Sequence, residues 1–331
     1  MTGQRLRLRR LTRQLSSLVA IFAKLAIVAG SALIFAGPAW AEKPRVLVVH
    51  EDSGVSHEAM DYLQFELTRA GWPTDALIPV EMDQDLEKVT GQGSESVIVA
   101  LGMRAYAKAV QEGLAEQPLV GAMIAKTAWS NSPLEKQDSR RNSNRRSVVI
   151  LLDQAPARWA NLIHLAFPHV RRVGILSAND DRQAEWMESS LSKRGYSLVV
   201  ERISRAENVI SGLEHLLSGV DLLLALPDAL THNRYTVQPV LLTTYRAHVP
   251  VLAYSSAYQQ AGAVMALYST VPQIMTQVVE CIESLQSRET VPSIQSPKYF
   301  TVGINAAVAQ SLGMNFSGAN DLRMRMLTMD E

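Results

Sequence analysis

The chain has 331 residues, 47% of them apolar, enough to bury a large core and to build more than one domain. Its 32 basic and 32 acidic residues balance, but residues 1–41 hold six of the basic ones and no acid, so the remainder carries 26 against 32, a net charge of −6. That balance argues against a nucleic-acid surface, and a lone cysteine, Cys281, excludes an intramolecular disulfide and lies far from any lipid-attachment position.

Arg5, Arg7, Arg9, Arg10 and Arg13 make a basic start, Leu25 to Ala36 an apolar run, and Ala39-Trp40-Ala41 a small-x-small cleavage site. This order predicts a secretory signal peptide over 1–41, removed after Ala41, and hence a periplasmic protein. Apolar character that begins at Leu18 and is charged only at Lys24 leaves an uncleaved membrane anchor as the alternative.

From Arg45 the chain alternates strand and helix. RVLVVH (45–50) reads as a buried parallel strand, and the helix after it places Met60, Leu63 and Leu67 on one face before stopping at Gly71. Ala76 to Val80 reads as a second strand, Ser96 to Leu101 as a third, Met103 to Val110 as a helix and Leu119 to Ile124 as a fourth strand. Lys126 to Ser147 turns polar and basic without an apolar period, which predicts a long mobile loop. Val148 to Leu152 follows as a strand and Pro156 to Phe167 as a helix.

The order then repeats. Pro44 to Asp52 is answered by Arg171 to Asp181 at a separation of 127, Gly71-Trp72 by Gly195-Tyr196 at 124, and Val97 to Leu101 by Leu222 to Leu226 at 125. Helices are expected over Asp181 to Arg194, around Val209 to Leu217, over Tyr235 to Arg246 and over Val271 to Leu285. Strands are expected at Leu198 to Arg202, Val249 to Ala253 and Phe300 to Ile304, with a frayed polar tail after Asn315. The fold class is therefore α/β, two similar doubly wound parallel-sheet lobes joined by a hinge. The expected division is a leader at 1–41, a first lobe at 42–152, a crossover helix and hinge at 153–168, a second lobe at 169–300, and a return to the hinge with a polar tail at 301–331.

Ligands in open parallel sheets bind beyond the carboxyl ends of the strands, and two facing sheets bring both sets of loops to one cleft. That rule selects Ser53, His57, Met103, Arg104, Lys126 and Thr127 from the first lobe. From the second it selects Ser177, Asn179, Pro227, Asp228, Tyr254, Ser255 and Ser256. Ser177, Asn179 and Asp181 suit a helix cap as well as an anion. Asp228 suits a ligand ammonium or Arg234, while Tyr254 and Trp129 suit either ligand stacking or packing. His57-Glu58-Ala59-Met60-Asp61 lacks the second histidine of a metalloprotease helix, Gly91-Gln92-Gly93 precedes a strand instead of following one, and no nucleophile elbow is present. No enzyme, metal site or cofactor is expected.

RRVGILSANDD, GVDLLLALPDA, VPVLAYSSAYQQAGAVMAL and YFTVGINAAVAQSLGM resemble successive landmarks of a family of ABC-transporter substrate-binding proteins. The resemblance spans roughly Val148 to Met314. It implies the type I periplasmic-binding-protein fold, a small-molecule ligand such as an aromatic amino acid, an inner-membrane ABC permease as partner, and a monomer. Where that family carries a Ser/Thr-Asp-Pro motif after the fourth strand, this chain has Ala125-Lys126-Thr127-Ala128-Trp129, and Lys126 would suit a more acidic ligand. An alternative function keeps the fold but presents a signal to a membrane sensor or receptor, with the basic segment Lys136 to Arg146 as its docking surface.

Overall fold

Residues 45–90, 96–112, 117–135, 146–178 and 182–330 are described by the computed structural model. The expected leader, the basic segment up to residue 145, and Asn179 and Asp181 lie outside them.

The first lobe is built from β1 (Arg45–His50), α1 (Gly54–Arg69), β2 (Leu77–Glu81), α2 (Leu86–Thr90), β3 (Ser96–Leu101), α3 (Met103–Gln111), β4 (Leu119–Ile124), α4 (Lys126–Ser130) and β5 (Ser147–Leu151). Strands β3 and β4 are covered on both faces and carry apolar residues at almost every position, as a parallel sheet between helix layers demands. The second lobe repeats the plan. It comprises α5 (Pro156–Ala166), β6 (Arg172–Ala178), α6 (Arg182–Ser192), β7 (Ser197–Ile203), α7 (Val209–Leu217), β8 (Leu222–Leu224), α8 (Val237–Arg246), β9 (Val251–Ala253), α9 (Ser256–Ala261) and β10 (Met265–Tyr268). The remaining elements are α10 (Val271–Gln286), β11 (Ile294–Gln295), β12 (Thr301–Ile304), α11 (Ala306–Ser311) and α12 (Ala319–Asp330). None of the described helices is long and apolar enough to cross a membrane.

The sheet orders are β11-β5-β4-β3-β1-β2 and β12-β10-β9-β8-β6-β7. Each contains the same doubly wound succession, with the order reversing between β1 and β3 and between β6 and β8, so the repeat read in the sequence is a repeat of topology. All pairings are parallel except β10 with β12.

Several boundaries depart from expectation. Helix α10 buries Ile274, Val278, Ile282 and Leu285 in the core of the first lobe, and β11 pairs with β5 of the first sheet, so part of the stretch expected in the second lobe belongs to the first. Helix α5, expected in the hinge, packs Trp159, Leu162 and Ile163 into the second core. The chain crosses between lobes three times, at 152–155, 269–270 and 296–300. Residues 126–130, expected in a mobile loop, form a helix with Trp129 only 2% exposed. Expectation failed there because the segment buries one large residue and no periodic stripe.

The tail is likewise ordered. Leu322 and Met326, one turn apart on α12, are fully buried against the second core, while Arg323, Arg325 and the exposed Met324 between them mask the apolar stripe. Leu322→Ala should lower stability by about 2–5 kcal/mol in urea unfolding; an unchanged unfolding midpoint would mean the tail does not pack.

Candidate functional site

A cavity of about 300 Å³ opens between the lobes at the carboxyl ends of the strands. Ala125, Lys126, Leu152, Asp153 and Gln154 approach it from the first lobe and the first crossover. Trp159, Trp186, Met187 and Leu226 give the second lobe's side an apolar wall. Tyr254, Ser255, Ser256, Tyr268 and Ser269 add hydroxyl groups around it.

Seating of Lys126 begins in β4, five residues before the helix. At Gly121 an added Cβ would come within 2.6 Å of the Tyr106 ring, so only glycine lets that ring lie on β4. Tyr106 in turn meets Trp129 edge to face, with ring centroids 5.5 Å apart, which anchors α4. Between them β4 is irregular, and Met123 takes a positive φ of 59°. A left-handed non-glycine residue costs about 1–2 kcal/mol. Here it re-aims the chain so that the first N–H of α4, from Lys126, donates to Asp153 Oδ2 at 2.6 Å.

Lys126 and Asp153 are the only charged side chains lining the cavity among the described residues. Burial lowers the pKa of Lys126, opposed in part by Asp153. Burial raises that of Asp153, opposed by the Lys126 N–H and ammonium. The Lys126 ammonium stands 3.5 Å from the centroid of the Trp186 ring, which belongs to the other lobe. A second bridge joins the same two helices, as Arg182 donates to the Ser130 carbonyl at 2.6 Å and approaches Glu135 at 3.9 Å.

The cavity floor is a hydrogen-bonded chain through all three crossovers. Gln154 Nε2 donates to Ser269 Oγ at 2.8 Å, and Ser269 donates to the Tyr299 carbonyl at 2.5 Å. Arg158 donates to Gln154 Oε1 at 2.8 Å and to the Pro297 carbonyl at 2.7 Å, with its guanidinium over the Phe300 ring.

Of the residues singled out from sequence, Lys126, Pro227, Tyr254, Ser255 and Ser256 line this cavity. The others do not. Ser53 caps α1 by accepting from the Ser56 N–H, and His57 faces Asp52 at 3.3 Å on the surface. Met103 packs on the first core, Arg104 pairs with Glu51, and the Thr127 carbonyl accepts from Asn131 within α4. Ser177 is buried inside β6. Asp228 accepts from the N–H groups of Ala178, Leu230 and Thr231 at 2.8, 2.8 and 2.9 Å and does not pair with Arg234. Trp129 packs in the core.

Sequence reasoning missed Asp153 and Gln154, although the strand-end rule applied to β5 would have found them. It also missed Trp186, because a helix facing a cleft shows the same apolar stripe as one facing a core. Tyr268 and Ser269 escaped because β10 had not been recognised as a strand.

Behind Tyr254 lies a buried histidine. His232 Nδ1 is 3.1 Å from the Tyr258 hydroxyl, Tyr254 donates to the His232 carbonyl at 3.4 Å, and His232 Nε2 has no partner among the described residues. Burial pushes the His232 pKa from 6.5 down to about 4, with Asp228 opposing. A depressed histidine pKa favours the neutral ring in the fold, so its stabilising effect is full above pH 6.5 and is lost as pH falls toward 4. The shift corresponds to roughly 3 kcal/mol. Urea unfolding across this range should show the loss, and His232→Gln should flatten it; equal slopes in both proteins would contradict a buried neutral histidine.

No protein-family model and no curated protein matches the chain. Solved structures do. A ligand-free, open substrate-binding protein with adhesive properties from Clostridium difficile matches with a TM-score of 0.64 at 13% identity, over 83% of this chain and 97% of that one. A conserved domain protein from Vibrio cholerae matches at 0.57 and 17% identity, over 86% and 98% of the two chains. An ABC domain from Streptococcus pneumonia in complex with L-Trp matches at 0.56 and 16% identity, over the same 86% and 98%. This chain has the type I periplasmic-binding-protein-like fold that these structures share.

Proposed function

We propose that this protein is the periplasmic solute-binding component of an ABC-type importer, exported by its leader and closing its two lobes over a small organic solute. The solute it fits best is an aromatic amino acid. One observation carries the reading: a cavity between the lobes has aromatic and apolar walls and one desolvated group of each charge, Lys126 and Asp153. A zwitterion with an aromatic side chain complements all three features, since its carboxylate neutralises the cation, its ammonium the anion, and its ring takes the wall.

Further support comes from the fold neighbour in complex with L-Trp and from the leader-like amino terminus. An inner-membrane permease would receive the closed form, and lobe closure would follow from ligand contacts on both sides of the hinge.

A thermal-shift screen of the twenty amino acids, short peptides and small organic acids tests the reading. Aromatic amino acids should stabilise the protein, since a ligand at a hundred times its Kd adds about 2.7 kcal/mol. Trp186→Ala should weaken that binding at least tenfold in calorimetric titration. Absence of any stabilisation at millimolar concentration would refute solute binding.

A further inference from the structure

We propose that Lys126 is the specificity-determining residue of the cavity: a cation parked on Trp186 across the cleft, which a ligand carboxylate draws away while the ligand's aromatic side chain takes its place on the ring. The inference rests on the solute-binding reading above and names the group by which that solute is selected.

Four observations carry it. Lys126 is the single cation lining the cavity among the described residues. Its ammonium has lost water to burial, opposed in part by the charge of Asp153, and has no carboxylate within ion-pair distance among those residues. Its contact is instead the face of Trp186, at 3.5 Å from the centroid. An aromatic face replaces a hydration shell only weakly, whereas a carboxylate replaces it by a charge-assisted hydrogen bond. Finally, the pair is divided between lobes, with Lys126 on α4 and Trp186 on α6, and the neighbouring bridge from Arg182 to Ser130 joins the same two helices.

These facts set up an exchange. A ligand with a carboxylate satisfies Lys126 and frees the Trp186 face, and an aromatic ring on the same ligand then covers that face. Both lobes end in contact with the ligand, and neither is left with an exposed or unpaired group. A ligand with a neutral group in the carboxylate's position must either leave Lys126 on Trp186, where it blocks the aromatic wall, or displace it without compensation. Discrimination against such ligands follows from the second term as much as from the first.

L-tryptophan and L-tryptophanamide differ in this one group and serve as probes in isothermal titration of the protein. The carboxylate form should bind at least tenfold more tightly than the amide. Lys126→Met should abolish the preference, and Lys126→Arg, which keeps the charge, should restore it. Equal affinities for the two probes in the parent protein, or a preference that survives in Lys126→Met, would overturn the role of Lys126 and leave solute binding standing. If neither probe binds the parent protein while another solute from the screen does, the exchange on Trp186 is wrong. If nothing binds, both readings fall.

Discussion

The hydrogen-bonded chain from Arg158 through Gln154 and Ser269 to the Tyr299 carbonyl is the constraint on which the two-lobed arrangement depends. The two sheets share no strand, and each lobe has its own apolar core. Burial therefore stabilises each lobe without saying how one stands against the other. That relation is set where the chain crosses, and the three crossing segments are tied together by groups too deeply placed to be left unpaired. A hydrogen bond contributes only about 1 kcal/mol net, yet a buried partner left unsatisfied costs about 1–3 kcal/mol, so the network resists separation of the three segments. Gln154 and Ser269 belong to the chain and also line the cavity, so the crossings form part of the cavity wall.

The second organising feature is the use of one carboxylate for two tasks. Asp153 holds the first N–H of α4 and supplies the cavity's negative charge. Its position depends on distant packing, for α4 is seated by Trp129 on Tyr106, and Tyr106 in turn lies on Gly121. A buried aromatic pair in the first core thus sets where the Lys126 ammonium can reach. Core packing and site chemistry are linked through a five-residue helix that has no apolar stripe of its own.

The second lobe supports its side of the cavity differently. Asp228 accepts three backbone N–H groups and fixes the loop after β8 to the end of β6. Beneath Tyr254, the ring of His232 meets Tyr258 edge to face with centroids 5.7 Å apart. The polar residues of this loop, which strand-end position alone would assign to ligand contact, hold the backbone and the aromatic wall in place. The wall presents Trp186, Tyr254 and Tyr268 together.

Local pattern determined most of the architecture. The apolar runs of β1, β3, β4 and β6, the glycines that stop α1 and follow α6, and the repeat near 125 residues together imply two doubly wound lobes, because strand burial and helix termination depend on nearby residues. Lys126, Pro227, Tyr254 and Ser255 were accessible by the same logic, being next to strand ends. Tertiary structure alone decided that α10 and β11 return to the first lobe, that α12 covers the second, and that Trp129 is core while Trp186 is cavity wall. It alone also placed Lys126 on a ring 60 positions along the chain. These outcomes turn on which of two similar apolar surfaces a segment meets, and a one-dimensional pattern records that a face is apolar without recording what it faces.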